Sequence, residues 1–308
     1  MSKGVFAPQA LNTTHVGEGR TPEQRPANDT GVLDRAVGDI LVKGGRLTQD
    51  QVAQVLKHQA EHGIHFGEAA IALAFVSSDD VLWALSQQFH YPLAPHGGIE
   101  FHDDLVAAID PWSEQAELFR EVRTNLLHGA LNPDLPKRAL AVISPNIGDG
   151  KSFVAANLAV TFSQLGGRTL LVDADMRTPR QHAIFKIPGH HGLSDLLSGR
   201  SEANVIEQIT RLPSLFVLPV GAVPPNPLEL VQRPAFSLLL QELLTKFDYV
   251  LVDTPAAEHG ADARVVAGRC AALAVGRVGK TKIPAMEALL KSMGKTTVRS
   301  AGVLMNEF

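Results

Sequence analysis

Residues 139–152, ALAVISPNIGDGKS, decide the fold of this chain. The apolar run 139–143 is followed by the small, polar loop 144–150, and then by Lys151, Ser152 and the apolar periodicity of a helix. Strand, loop and helix in this order are the context of a phosphate-binding loop, where backbone N–H groups and a helix N-terminus face phosphate oxygens. The stretch therefore predicts a nucleotide site.

The loop departs in one place from the general pattern G-x-x-x-x-G-K-[ST], because Pro145 stands where the first glycine is expected. Lys151 is predicted to reach the terminal phosphates and Ser152 to ligate Mg²⁺. An ordinary glycine-rich turn with an exposed lysine is the alternative for this loop taken alone. The predicted nucleotide contacts are Ile147, Gly148, Asp149, Gly150, Lys151, Ser152 and Phe153.

Composition bounds the class of protein. The chain has 308 residues, of which 45% are hydrophobic and 19% charged, which predicts a globular protein with one large or two smaller domains. A net charge of −4 gives no reason to expect nucleic-acid binding. With Cys270 as the single cysteine no internal disulfide can form. No signal peptide or membrane span is recognisable, so we expect a cytoplasmic protein.

Changes in composition predict four regions. Residues 1–30 are expected to be a disordered arm and 31–95 a helical module. Residues 96–110 are interpreted as a linker, after which Asp110 is predicted to cap a helix that opens the α/β domain at 111–308.

The helical module contains an internal repeat. Gly38-Asp39 matches Gly67-Glu68, an offset of 67 − 38 = 29 residues. At the same offset Thr48, Asp50, Val52, Leu56 and Gln59 match Ser77, Asp79, Val81, Leu85 and Gln88. Each unit predicts a short helix, a turn, a cap and an amphipathic helix.

This module resembles the N-terminal domain of type II secretion and pilus ATPases. Some of those domains bind cyclic di-GMP through Arg-Leu-Gly in each repeat, where this chain has Ala36-Val37-Gly38 and His65-Phe66-Gly67. Since the arginines that would pair with phosphate are replaced, the resemblance favours protein docking over nucleotide binding here.

Apolar runs alternate with helical patterns after the loop. The predicted strands are 168–172, 215–219, 249–252, 271–275 and 301–305, and the predicted helices include 227–245, capped by Asn226, and 283–293. This alternation indicates an α/β fold with a mostly parallel, doubly wound sheet that binds ligands at the carboxyl ends of its strands.

Aspartates end two of these strands. Asp173 and Asp175 close the run LLVDAD, and Asp253 closes VLVD. A strand-end aspartate often caps the next helix, but two such motifs after a phosphate loop predict carboxylates around Mg²⁺, which prefers oxygen ligands. One carboxylate could serve the metal while another accepts a proton from an attacking hydroxyl.

Together these motifs resemble the bacterial tyrosine kinases. The D-x-D-x-R of 173–177, the loop SPNIGDGKS, the PPNP-x-E-L within 221–230 and the E-x-x-R-x-x-R of 117–123 occur in that family. With the N-terminal module, the chain is similar to the EpsG type, the chain length determinant protein tyrosine kinases of exopolysaccharide clusters. The expected fold is a P-loop NTPase preceded by a small, all-helical repeat module.

The resemblance implies roles for individual residues. Lys151 would stabilise the transferring phosphoryl group of ATP, and Asp173 would be the base for a tyrosine hydroxyl. Mg²⁺ would be held, directly or through water, by Ser152, Asp175 and Asp253. Asn306, expected on the loop after the last strand, falls where related folds contact adenine, although a simple turn residue is equally consistent with its position.

The resemblance also implies partners. A membrane polysaccharide co-polymerase, the chain length determinant protein, would activate this chain and recruit it to the inner face of the plasma membrane. Glu117, Arg120 and Arg123 would drive ring-shaped self-association; the alternative is a solvated helix face with a weak ion pair.

Three interpretations stay open from the sequence, and the first is the tyrosine kinase that the resemblance implies. Kinases of the family usually end in a tyrosine-rich tail, whereas these residues end GVLMNEF and contain only Tyr91 and Tyr249, so autophosphorylation of a tyrosine cluster is not expected. A kinase-like ATPase switch or a scaffold is the second interpretation. The third is a MinD/ParA-type ATPase, but Asn146 stands where those carry a further lysine.

Overall fold

The computed structural model describes residues 30–88, 101–200, 205–294 and 298–307, without the side chains of 30–36 and Leu82. The predicted arm before residue 30, and Tyr91, lie outside the described residues. The chain divides between Val81 and Leu82 into two compact units.

The described residues at the N-terminal end are helical. The helices are α1 (Thr30–Lys43), α2 (Gln49–His62), α3 (Phe66–Ala72) and α4 (Ser78–Gln88), the last of which begins in the first unit and runs into the second. α1 and α3 end 72 − 43 = 29 residues apart, and α2 and α4 begin 78 − 49 = 29 residues apart. The sequence repeat and the helix boundaries therefore have the same period.

Helices α2 and α4 also begin with the same local chemistry. The backbone N–H of Gln51 donates to Thr48 Oγ1 at 3.3 Å, and Thr48 N–H donates back to Gln51 Oε1 at 2.8 Å. Asp80 and Ser77 repeat this reciprocal pair at 3.2 and 2.9 Å. Both are capping boxes, which satisfy N–H groups that a helix leaves unpaired at its start. The resemblance of this region to secretion ATPases stays a prediction.

The second unit is built on one sheet. Its described strands are β1 (Leu140–Ile143), β2 (Thr169–Asp173), β3 (Glu207–Gln208), β4 (Leu215–Leu218), β5 (Tyr249–Asp253), β6 (Ala271–Arg277) and β7 (Arg299–Asn306). Within the described residues they lie in the order β3-β4-β2-β5-β1-β6-β7, and all neighbours are parallel except β3 and β4. The prediction of a mostly parallel α/β sheet is confirmed.

Helices cover both faces of the sheet. They are α5 (Val106–Ile109), α6 (Glu114–His128), α7 (Lys151–Ser163), α8 (Gln181–Ile184), α9 (Leu193–Ser198), α10 (Pro227–Gln232), α11 (Pro234–Lys246), α12 (Asp262–Ala267) and α13 (Ile283–Met293). Strand β1 shows the two layers, because Ala141 and Ile143 join the core under α9–α13 while Leu140 and Val142 join the core under α5–α7. Alternation of side chains along a strand produces this division.

Helix α7 lies at the centre of one layer. Its apolar residues Val154, Leu158 and Phe162 are fully buried, and so are the polar residues Asn157 and Thr161. A helix buried on nearly all sides is fixed in place, so its N-terminus holds the loop before it rigidly against the sheet.

The predicted linker is wrong for residues 101–110. Leu105, Ala107 and Ala108 are buried in the core under α7. Asn157 of α7 accepts a hydrogen bond from Ala107 N–H at 2.9 Å and donates to the carbonyl of Asp104 at 2.7 Å. This segment is therefore part of the packed α/β unit.

Two predicted helix boundaries also need correction. Helix α6 is capped by Ser113, whose side chain accepts from Ala116 N–H, and not by Asp110. The predicted helix 227–245 is two helices, because Pro234 cannot continue a helix from Arg233, which adopts an extended conformation. Helix α13 has the predicted bounds.

In the described part of the chain, none of the helices combines the length and the apolar character that crossing a bilayer requires.

Candidate nucleotide and magnesium site

The loop between β1 and α7 has the backbone that phosphate binding requires. Gly148 and Gly150 have φ angles of +78° and +95°, in the left-handed region that favours glycine. A Cβ atom on Gly150 would also displace the side-chain amide of Asn306, which lies against this glycine. Helix α7 begins at the next residue, Lys151, and its free N–H groups face the loop.

Asp149 shapes this loop from within. Its carboxylate is buried and accepts hydrogen bonds from the backbone N–H and the side-chain amide of Asn146 at 2.9 and 3.1 Å. Its other oxygen accepts from the hydroxyl of Thr281, after β6, at 2.7 Å. The Asp149 side chain therefore holds the loop, which leaves its backbone to meet phosphate.

The strand register brings the aspartates together. Asp173 of β2 pairs directly with Asp253 of β5, and both strands end there. Asp175 lies two residues beyond the end of β2, and all three carboxylates are fully buried. Parallel strands thus place three carboxylates at one edge of the sheet, beside the loop.

Asp175 is paired with the lysine of the loop. Lys151 Nζ lies 3.2 Å from Asp175 Oδ2, and the lysine side chain is 8% exposed. Thr178 donates its hydroxyl to the same oxygen at 2.9 Å and its N–H to Oδ1 at 2.9 Å. These contacts fix the Asp175 carboxylate at the mouth of the phosphate loop.

Asp173 has an unusual electrostatic environment. Its oxygens accept from the backbone N–H groups of Asp175 and Gln181, both at 3.1 Å. Burial, with the nearby charge of Asp253, raises the pKa of Asp173 well above its ordinary value. A carboxyl with a raised pKa binds a proton more readily than an ordinary aspartate does, which is the property expected of the predicted base.

Asp253 has one carboxylate oxygen that is available to a cation. The amide of Gln181 donates to its Oδ2 at 2.8 Å, whereas its buried Oδ1 has no hydrogen-bond partner among the described residues. Burial raises the pKa of Asp253, an effect that the Lys151 charge and the Ser152 hydroxyl oppose. A buried oxygen without a partner, beside a hydroxyl and further carboxylates, fits Mg²⁺.

Sequence reasoning missed Gln181 and Thr178. Gln181 is fully buried and joins the site through Asp253, Asp173 and the carbonyl of Ser152, to which it donates at 3.1 Å. Neither residue belongs to a motif by type. Their position six and three residues after Asp175, where the chain must turn back from the strand end, was the available signal.

Asn306 does not lie on a loop as predicted, because it is the last residue of β7. Its amide lies 3.4 Å from the carbonyl of Asp149. Together with Phe153 and one side of α6 it lines a cavity of about 600 Å³ next to the phosphate loop. The position is consistent with the adenine contact, which stays a prediction.

The loop is also enclosed from the side of Ile147. The carboxylate of Glu258 accepts from Ile147 N–H, and Lys280 Nζ lies 3.3 Å from the Ile147 carbonyl. The Ile147 side chain is itself exposed, so it does not anchor the loop. Charged groups of both signs therefore border the outer rim of the loop.

The charges of the E-x-x-R-x-x-R motif have contacts within the chain. Arg120 pairs with Glu117 at 2.7 Å and also donates to the carbonyl of Pro111. Arg123 donates to the carbonyl of Thr161 on α7 at 2.6 Å. The motif therefore helps to fasten α6 to α7, and Glu117 is its most exposed member.

Known proteins with similar sequences identify the family of this chain. No protein-family model matches the chain. It is 33% identical over 193 residues to tyrosine-protein kinase CpsD of Streptococcus agalactiae. The aligned residues make up 62% of this chain and 82% of CpsD. The chain belongs to the bacterial tyrosine kinase family.

Solved structures of such kinases share the fold. The kinase domain of the Escherichia coli tyrosine kinase ETK is 28% identical, with a TM-score of 0.64 over 69% of this chain and 82% of that domain. The chimerical protein CapA2B2 is 32% identical, with a TM-score of 0.63 over 73% of this chain and 97% of its own. As a member of this kinase family, the chain uses ATP and Mg²⁺.

Proposed function

We propose that this chain is a protein tyrosine kinase that transfers the γ-phosphoryl group of ATP to tyrosine and regulates the chain length and export of an exopolysaccharide. The observation that carries the proposal is the juxtaposition of Lys151 and three buried carboxylates at the mouth of a phosphate loop. Family membership supports tyrosine as the acceptor.

Each residue has a defined part in this reaction. The loop N–H groups and Lys151 bind the phosphates, and Ser152, Asp175 and Asp253 would hold Mg²⁺, which neutralises phosphate charge when bound. The tyrosine oxygen forms a bond to the γ-phosphorus, and ADP leaves. Asp173 accepts the proton that the tyrosine hydroxyl loses in this step. Burial of the three carboxylates keeps water away from the groups that would hold the metal and accept the proton.

Of the two tyrosines, Tyr249 is not placed to be the acceptor within its own chain. Tyr249 is half-buried at the amino end of β5, where its ring lies 4.8 Å from the ring of Phe162. Asp253 ends the same strand four residues later, about 13 Å away at the usual rise of a strand. Tyr249 therefore cannot reach the site of its own chain.

The partner we propose is a membrane polysaccharide co-polymerase that activates the kinase and recruits it from the cytoplasm to the inner membrane face. Self-association through the α6 surface is the second proposed contact. Trp112 and Leu118, which are near Glu117 in the sequence and are 54% and 60% exposed, would supply apolar area to such an interface. Alanine at Arg120 and Arg123, followed by light scattering, tests whether the mass in solution depends on this surface.

A kinase-like ATPase switch is the second candidate. It is favoured by the scarcity of tyrosine, since the chain contains two and the described one is half-buried. Such a switch would hydrolyse ATP and change its contacts with the partner without labelling protein.

An assay with γ-labelled ATP and Mg²⁺ separates the two proposals. The full chain is compared with Lys151→Met and Asp253→Asn, each with and without the cytoplasmic segment of the co-polymerase. Label on protein tyrosine that both variants lose supports the kinase. Free phosphate without labelled protein supports the switch, and no turnover under any condition would contradict both.

A further inference from the structure

We propose that helix α2 carries a binding site for a divalent transition-metal ion of the Zn²⁺ class, formed by His58, Glu61 and His62. The three residues occupy positions i, i+3 and i+4, which lie on one face of a helix. One ligand atom from each lies within 4.8 Å of the others. The site uses no residue of the proposed kinase function.

The two imidazole rings already lie against each other, with their planes inclined by 31°. Their ring centroids lie 4.0 Å apart. His62 Nδ1 lies 3.0 Å from the carbonyl oxygen of His58, so in the neutral ring Nδ1–H donates to that oxygen. This hydrogen bond leaves the lone pair of His62 Nε2 for a metal, and a backbone carbonyl is a usual outer partner of a metal-binding histidine.

The donor set selects the kind of ion. Two imidazole nitrogens and one carboxylate suit Zn²⁺, with water in the remaining position, whereas Mg²⁺ and Ca²⁺ prefer oxygen ligands alone. Glu61 has a competing contact, because Lys57 Nζ lies 3.9 Å from its carboxylate. That pair is exposed and widely spaced, so a bound cation displaces it easily.

The position on the helix gives binding a structural consequence. His62 is the last residue of α2, and Gly63 ends the helix in the left-handed conformation with a φ of +64°. A metal that joins His58 to His62 closes the final turn, where helices otherwise fray. Binding should therefore stabilise the folded chain in proportion to the logarithm of the metal concentration.

Titration of the full chain with ZnCl₂ in a calorimeter tests the proposal. The variants are His58→Gln and His62→Gln, since glutamine is a good helix former and neither residue is in the core. The matched control is His65→Gln, which changes an exposed histidine of the same region outside the cluster. Zinc taken up by Asp173, Asp175 or Asp253 would be common to all four proteins and cancels in the comparison.

The expected result is a site that both cluster variants weaken by about tenfold or more, because loss of even an outer partner costs about 10- to 100-fold in metal affinity. His65→Gln should retain the wild-type affinity. Equal zinc binding by wild type and His58→Gln, or an equal loss in His65→Gln, would overturn the proposal.

Discussion

The ion pair between Lys151 and Asp175 illustrates how individual residues set the chemistry of the site. Both side chains are buried, so the charge of each is tolerated because the other is present. Removing one partner of a buried pair costs about 3 to 5 kcal/mol of stability. A nucleotide would offer Lys151 an alternative anion, so we expect this pair to separate when phosphate binds.

Gln181 belongs to no recognisable sequence motif, yet it contacts two of the buried carboxylates. We expect Gln181→Met, which keeps length and removes the amide, to cost about 1 to 3 kcal/mol and to weaken Mg²⁺-dependent ADP binding, because Asp253 loses its donor. Calorimetry with MgADP measures the affinity, and urea unfolding measures the stability.

Gln164→Met is the matched control. Gln164 is also a buried glutamine, and its amide donates to the carbonyl of Ala107, remote from the carboxylates. The Gln164→Met variant should lose stability but keep the wild-type affinity for MgADP. An equal loss of affinity in both variants would mean that Gln181 acts only through folding.

The raised pKa values of Asp173 and Asp253 predict a pH dependence. Both carboxyls bind protons more tightly in the folded chain than in the unfolded chain, where the pKa is about 3.8. The folded chain therefore holds more protons above that pH, and its free energy of unfolding falls as pH rises through the folded pKa values. Bound Mg²⁺ should offset this loss.

Melting temperatures between about pH 5 and pH 8, in EDTA and in excess Mg²⁺, measure this effect. The increase in Tm that Mg²⁺ produces should grow with pH, and Asp253→Asn should flatten the dependence. A Mg²⁺ effect that is the same at all pH values would argue against a metal held by these carboxylates.

At the scale of elements, the site depends on segments that are distant in sequence. β1 presents the phosphate loop, β2 and β5 end in the aspartates, and the turn after β6 supplies Thr281 to Asp149, 132 residues away. Helix α7 carries Lys151 and Ser152 and is itself held by the segment before α6. The loop is therefore only as rigid as the packing of α5 and α7.

Leu105→Ala tests that packing. Leu105 is fully buried under α7, so its truncation should cost about 2 to 5 kcal/mol. Ile109→Ala is the control, because Ile109 in the same segment is 49% exposed and should change stability by much less. Chemical denaturation gives both values. A neutral Leu105→Ala would restore the predicted linker for this segment.

At the scale of the whole molecule, parallel topology concentrates the chemistry at one edge of the sheet. The order β3-β4-β2-β5-β1-β6-β7 places the loop after β1 beside the aspartate of β5, with β2 next to it. No single segment could form the site alone. Helices α1 to α3 and the start of α4, within the repeat of 29 residues, belong to a separate unit that the proposed reaction does not use.

Much of this arrangement was predictable from the sequence. The apolar runs of β2, β5 and β6 and the periodicity of α13 are strong signals, and the strand-end aspartates follow from them. The linker error arose because Leu105, Ala107 and Ala108 form a short run after Gly and Pro, too brief to show a period. The partners of Asp149 and Gln181 depend on tertiary contacts, which local patterns do not encode.

The most direct test of the account is the affinity of the full chain for ADP, with Mg²⁺ and with EDTA, in wild type and in Asp253→Asn. We predict that Mg²⁺ tightens ADP binding in wild type and that the substitution removes most of this gain without unfolding the chain, since it deletes a charge from a crowded, buried cluster. Equal ADP affinity with and without Mg²⁺ in wild type would contradict the assignment of these carboxylates to a metal–nucleotide site.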